Sequence, residues 1–340
     1  MLTPRQELIL RKLVEVHLDG GQPVGSKALA TDDDLEWGSS TIRYELAMLE
    51  EHGLLAHPHT SAGRVPTDAG YRYFVDRLLP DTQPARVERP LALTLARREV
   101  DEAMRVTTET LSQVTNLLAL VSAPPLETAT IRHVEVLLLQ PQVLMVVVIT
   151  STGGVTKRML TFDQPIDAGL ADWGASYVNE QLVGLGLGAR LLHQRLGDPR
   201  LGPRERGFLA AIAPAFTELT ETADDVLYVD GAARLVGSYR FEDHEQLNEV
   251  MEMLERRVSL LGVLRSALDQ RDVYVRIGSE NEAPALRSLA FVASGYGLPT
   301  RNLGTVSVIG PLRMDYGRAI ASVRAAASEL SRFVEDVYEK

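Results

Sequence analysis

Apolar residues recur at helical spacing through the first fifty positions, and then the rhythm changes. In "TPRQELILRKLVEVHLD", residues 3–19, Leu8, Leu10, Val14 and Leu18 keep a helical period. Thr3 is placed to cap that helix, Pro4 suits its first position, Glu7 falls in its first turn, and Gly20-Gly21 ends it. "PVGSKALA" then sets Ser26 before a short helix expected to carry Ala28 and Leu29 inward. An acidic, turn-like "TDDDLEWG" leads to Ser39 and Ser40, which are expected to cap a third helix, "TIRYELAMLEEHG". Ile42, Leu46 and Leu49 share one face of it, and Gly53 stops it. "LLAHPH" and "RVP" read as brief strands either side of the small, polar tip "TSAG", and Thr67 caps a further helix, "TDAGYRYFVDRLL". Three helices followed by a hairpin within residues 1–80 predict a winged helix-turn-helix.

Beyond it, "LPDTQPARVERP" at 79–90 is rich in proline and charge and reads as a linker. Val100, Met104, Thr107, Leu111, Val114, Leu118 and Val121 then step by alternating fours and threes. That spacing predicts one long helix over 91–122, roughly 48 Å at about 1.5 Å per residue. The seam fits a helix paired across subunits and equally a helix lying on its own domain. Strands follow at "RHVEVLLL", "VLMVVVIT" and "GVTKRMLTF". Residues 165–225 read as helical and loop-rich. Strands resume at "DVLYVDG", "DVYVRIG" and "LGTVSVIGP", with a helix over "EQLNEVMEMLERRVSLLGVLRSAL". An amphipathic C-terminal helix at 313–338 carries Ile320, Val323, Ala327, Leu330, Val334 and Val337 on one face. A sheet interrupted by a helical block and then completed predicts an α/β domain with an insertion, within an α+β multidomain chain.

Composition narrows the function. At 340 residues there is room for two or three domains, and 45% hydrophobic with 24% charged residues is ordinary for a soluble globular protein. The absence of cysteine excludes disulfides, thiolate metal sites and a cysteine nucleophile. "MLTPRQELIL" lacks the basic start and cleavage site of a secretory signal. The most apolar stretch is broken by Gln140-Pro141-Gln142, too early for a membrane span of about 20 residues. The expected address is the cytoplasm. A net charge of −11 argues against indiscriminate nucleic-acid binding, so DNA recognition must rest on a few well-placed cations.

The segments "GQPVGSKALA", "SSTIRYELAMLEEHGLLAHPHTSAGRVPTDAGYRYFVDRLL" and "GTVSVIGPLRMDYGRAI", with "VNEQLVGL" and "LYVDG" between them, resemble the HrcA family of bacterial heat-inducible transcription repressors. The match spans nearly the whole chain. The resemblance implies a winged-helix domain at 1–80, a linker and long helix at 81–122, a GAF-like domain split between 123–164 and 226–340, and an inserted dimerising domain at 165–225. It further implies a homodimer that binds an inverted-repeat operator called CIRCE upstream of chaperone operons, kept active by the chaperonin GroEL, and so found with the nucleoid. The family usually has Asn where this chain has Tyr44, and the "DDD" at 32–34 is unusually acidic beside a DNA surface.

On the third helix the face opposite Ile42 holds Ser40, Arg43, Tyr44 and Ala47. A helix fits the major groove, where Arg43 can contact guanine bidentately, while Tyr44 can reach a phosphate or a thymine methyl. Ser39, Ser40 and Thr41 sit where they can touch backbone; capping alone accounts equally for the serines. Ser26 and Lys27 open the second helix towards phosphate, and His59, Thr60, Ser61, Gly63 and Arg64 form the wing tip, whose backbone and Arg64 are expected to lie against a phosphate ridge. A solvated surface charge is the plainer alternative for Lys27, Arg43 and Arg64. Residues 1–80 carry 8 Lys+Arg against 12 Asp+Glu, a balance of −4, which predicts few phosphate contacts per monomer and reliance on dimerisation.

Other chemistries fit less well. His52, His57 and His59 offer imidazoles but no thiolate partner for a metal. "GLGLGAR" at 184–190 follows a helix, not a strand, so it does not read as a nucleotide loop. "EDHEQLNE" at 242–249 lacks metalloprotease spacing. No enzyme, cofactor or membrane role is expected. The rival reading is a winged-helix regulator that senses a small molecule through its GAF-like domain, which thermal denaturation with candidate metabolites separates from the first.

Overall fold

The Thr3 hydroxyl accepts from the Gln6 amide at 3.3 Å, and the Thr3 amide donates to the Gln6 side chain at 3.0 Å. This reciprocal cap starts helix α1 (Pro4–Gly20). The structure, a computed structural model, describes residues 2–58, 63–79, 100–124, 129–151, 154–187, 189–216, 227–238, 272–299 and 301–338, together with 248, 251, 252 and 264. The chain continues through α2 (Ser26–Leu29) and α3 (Ser39–Glu51) into a two-stranded antiparallel ribbon, β1 (Leu55–Ala56) and β2 (Val65–Pro66). Helix α4 (Asp68–Tyr73), capped by Thr67, runs on as a π-helical turn over Phe74–Leu78. Two local expectations fail. Ala28 is exposed, leaving Leu29 as the buried apolar residue of α2, and α3 is preceded by Gly38, so Ser39 and Ser40 make no side-chain cap.

Helix α5 (Val100–Thr115) ends well before residue 122. Asn116 turns the chain with a positive φ of 56°, and Leu118–Ser122 becomes strand β3. The long-helix expectation is corrected there. Leu118 and Leu120 face one side of a sheet while Ala119 and Val121 face the other, and both sides are buried. A doubly buried strand is continuously apolar and can imitate a helical seam. Val100, Met104, Thr107 and Leu111 do form a buried stripe, but against the body of the same chain.

The central sheet has the order β7-β3-β10-β9-β8, every neighbouring pair antiparallel, from β7 (Leu227–Asp230), β8 (Tyr274–Ile277), β9 (Leu289–Leu298) and β10 (Arg301–Pro311). Helix α5 and the C-terminal helix (Tyr316–Tyr338) cover one face. Val323, Ala327, Leu330 and Val334 of that helix are buried, as its periodicity predicts.

The segment between β3 and β7 folds around a core of its own. Its three-stranded sheet, β4 (Ile131–Gln140), β5 (Val143–Thr150) and β6 (Val155–Thr161), packs one face on α6 (Ala168–Leu182), α7 (Arg190–Leu196) and α8 (Pro203–Ile212). The chain leaves the central sheet at Ser122 and re-enters at Leu227, which is paired directly opposite Ser122. Strands 131–161 therefore belong with the inserted unit and do not join the central sheet, which corrects the expected split at 123–164 and 165–225. Asn179 ties helix to strand, accepting from the Val134 amide at 3.0 Å and donating to the Val134 carbonyl at 2.6 Å. "GLGLG" is a structural clasp, with the Gly184 and Leu187 amides donating to the Ile131 and Ala129 carbonyls. Among the described residues no helix is long and apolar enough to cross a membrane.

Candidate nucleic-acid interface

Ile42, Leu46 and Leu49 are fully buried beneath α3, against Ile9, Leu10 and Leu13 of α1. Burial of that size contributes about 1.5–3 kcal/mol per side chain and fixes which face of α3 points out. Glu45, also buried, sets its rotation. It accepts from the Gln6 side-chain Nε2 at 3.1 Å and pairs with Arg5 at 3.4 Å. Sequence reasoning missed this lock; its signal was a carboxylate one residue before Leu46 on an otherwise apolar face.

With α3 so held, Ser40, Arg43 and Tyr44 project into solvent, Tyr44 at 65% exposure, and Thr41 and Ala47 flank them half-buried. Lys27 is also exposed on α2. Among the described residues neither Lys27 nor Arg43 has an ion pair. Most other cations of the N-terminal unit are held by carboxylates: Arg5 by Glu45, Arg11 by Glu15, Lys12 by Asp32 and Asp34, Arg64 by Glu50 and Arg72 by Glu280. The hydrogen bond to Asp34 holds the Lys12 ammonium above its usual pKa. The acidic run at 32–34 is thus partly neutralised from α1.

Four other expected contact residues, Ser26, Ser39, Gly63 and Arg64, are drawn partly or wholly into the fold. Ser26 is 8% exposed and turned into the fold, because Leu29 and Val24 draw the start of α2 inward. Arg64 does not reach outward. Its backbone bridges to Val24, and its side chain, 13% exposed, folds onto Glu50 of α3 at 3.0 Å. Gly63 lies so close to Val24 that a Cβ would sit 2.4 Å from the Val24 carbonyl carbon, so its small size serves this contact. Ser39 is half-buried at the start of α3. His59, Thr60 and Ser61 lie outside the described residues, as does most of 242–249. Among the described residues no group of three or more histidines and carboxylates is arranged to hold a metal.

Helix α4 and the start of the C-terminal helix meet in the core. Tyr71 of α4 packs on the buried Tyr316, ring centroids 5.9 Å apart, and the Tyr316 hydroxyl donates to the Leu312 carbonyl at 2.7 Å. Residues 101–320 match the family model described as the HrcA protein C terminal domain. The chain belongs to the HrcA family. The heat-inducible transcription repressor HrcA of Frankia casuarinae is 39% identical, over 96% of this chain and 97% of that protein. The protein of the same name from Brevibacillus brevis is 31% identical over the full length of both. A solved structure described only as a hypothetical protein shares the fold, with a TM-score of 0.69 at 21% identity over 99% of this chain and 100% of that one. Membership of HrcA makes this chain a heat-inducible transcription repressor.

Proposed function

We propose that this repressor binds an inverted-repeat operator of the CIRCE type as a homodimer, each N-terminal unit acting as a winged helix-turn-helix that inserts α3 into the major groove. One observation carries the reading: α3 buries Ile42, Leu46 and Leu49 and leaves Ser40, Arg43 and Tyr44 free on the opposite face. Arg43 is the base-reading residue and Lys27 a phosphate contact. Arg64 acts indirectly, bracing the wing against α3 through Glu50.

The dimer contact is assigned to the outer face of β4–β6. Leu137, Leu139, Val155 and Met159 are exposed there, beside the half-buried Met145, Val147 and Ile149. Rows run across this face as Leu137–Met145–Met159 and Glu135–Val147–Lys157. Stacking a second copy about a two-fold axis along β5 sets β4 over the partner's β6. Glu135 then faces a partner lysine, Val147 its own copy, and Leu137 a methionine, so the face complements itself in charge and apolarity. The central sheet, with a helix-covered face on α5 and the C-terminal helix, is the GAF-like element of the family. A chaperonin of the GroEL type recognises exposed apolar surface, and a dissociated subunit presents this face. Heating would then release operator through dissociation, and chaperonin would return dimer-competent chains.

The test is a gel-shift titration against the inverted repeat upstream of this organism's chaperone operon, with scrambled arms in parallel and with temperature and GroEL varied. Specific binding that weakens on heating and recovers with GroEL supports the reading. Equal affinity for scrambled arms removes it.

A further inference from the structure

The N-terminal unit is gripped by the central domain through polar contacts made by α4 and not by α3. Asp68 and Arg72 stand one helical turn apart on α4 and straddle the turn after β8. One Asp68 oxygen accepts from both the amide and the hydroxyl of Ser279, each at 2.8 Å. The Arg72 guanidinium donates to both carboxylate oxygens of Glu280, through Nε at 2.8 Å and through Nη2. Nη2 also donates to the Val275 carbonyl at 2.7 Å, and Nη1 to Asp76 at 3.2 Å. Glu280 is itself fixed by the Ile277 amide at 2.8 Å. Gly278, with φ of 55°, leaves no room for a side chain, since a Cβ would lie 2.3 Å from the Asp68 carboxylate.

The junction has an apolar half as well. Tyr71 rests on Tyr316, and the buried core runs without a break from α1 through Tyr71 and Phe74 to the C-terminal helix. Apolar contact is non-directional and permits sliding. A bidentate guanidinium–carboxylate pair fixes an angle. The same docking leaves Ser40, Arg43 and Tyr44 uncovered, so it does not mask the DNA face.

We propose that Asp68, Arg72, Ser279 and Glu280 are specificity-determining residues that fix the pose of the N-terminal unit, and thereby the operator spacing that the dimer accepts. This rests on the dimeric operator reading. In a two-fold protein, arms about one helical turn (~10 bp) or a multiple apart are matched only if both reading units are held at a set orientation. A loosely tethered unit accepts many spacings at lower affinity, because the effective concentration of the second contact falls.

The experiment compares wild type, Glu280→Arg, and the charge-swapped Arg72→Glu/Glu280→Arg chain. Each is titrated on a single-arm duplex, on the full operator, and on an operator with about half a turn (~5 bp) added between arms. Glu280→Arg is expected to keep single-arm affinity, to lose about tenfold or more on the full operator, and to discriminate less between spacers. The swap is expected to restore part of the discrimination. Unchanged spacer discrimination in Glu280→Arg overturns the proposal, as does a loss of equal size on the single arm. A DNA-free readout separates this from failure of the operator reading. Because the chain lacks cysteine, Val16→Cys and Arg301→Cys accept spin labels at exposed positions. The inter-label distance distribution is expected to be narrow in wild type, broad in Glu280→Arg and narrower again in the swap. Equal narrow distributions in all three overturn the latch even if operator binding is confirmed. A wild type with the expected distances but no operator preference overturns the operator reading, and the specificity role with it.

Discussion

Helix α3 and the β4–β6 sheet are built on the same plan and end in opposite chemistry. Each packs one face inward, burying Ile42, Leu46 and Leu49 in the helix and Val134, Leu144, Val146 and Val148 in the sheet, and each leaves its other face open. The open face of α3 offers Ser40, Arg43 and Tyr44; that of the sheet offers Leu137, Val155 and Met159. Burial makes both elements stable, so the open faces are free to be chosen for a partner. A hydroxyl, a guanidinium and a phenol suit a polyanion with hydrogen-bonding edges, whereas exposed leucine and methionine suit another protein surface. In the proposed dimer the two faces serve one event: the sheet would bring two copies of α3 to one duplex, and the low cation count of each N-terminal unit is the reason such pairing is proposed.

The sharpest way to break the comparison is to make the sheet face resemble the helix face. Met159→Asp should leave each subunit folded but prevent association, lowering operator affinity by about 10²–10⁴ as the second contact ceases to be intramolecular. Sedimentation should show monomer, and a dimer of unchanged strength would separate the sheet from assembly. Next in size, Arg43→Ala should cost about 1–3 kcal/mol of operator binding and relax preference at one base pair per arm, read by gel shift on substituted operators. A third comparison divides two cations. Lys27→Ala should reduce the salt slope of binding by about 1 per monomer, while Arg64→Ala should leave the slope unchanged and lower thermal stability by about 1 kcal/mol or less. A lowered slope in Arg64→Ala would return that residue to the DNA surface.

The smallest effect concerns pH. His17, under Tyr71 and near Arg313, has its pKa lowered chiefly by burial, with its ring nitrogen bonded to the Gln22 carbonyl. The unfolded chain therefore binds the proton more readily than the folded one. The stability this neutral ring supports is present above the ordinary value of 6.5 and is lost as pH falls through the lower folded value. Melting temperatures on either side of that value should show a shallow fall on the acid side, absent in His17→Phe.

Much of the architecture was legible because amphipathic elements carry a period. The inward face of α3, the cap at Thr3 and the stripe on the C-terminal helix all follow from spacing. The central sheet was only half legible. β9 runs "LAFVASGYGL", rich in small residues and buried on both sides, and it shows no alternation. β3 was hidden for the same reason, its apolar run continuing the seam of α5. The split between units was misplaced because strand-forming segments look alike whichever sheet they join. What assigns 131–161 to the insertion is the pairing of Ser122 with Leu227, a long-range contact with no local signature. In the candidate site, the exposure of Arg43 follows from its face of α3, whereas the burial of Arg64 does not, because the Glu50 that captures it lies fourteen residues away. A loop arginine reads as exposed until the fold brings a carboxylate to it.

The most direct measurement is a base-resolution chemical footprint of wild type and Arg43→Ala on the inverted repeat. The expected result is two symmetric protected arms, with Arg43→Ala losing protection at the same base pair in each. A single protected patch, or a footprint indifferent to Arg43, would contradict a dimer that reads DNA through the open face of α3.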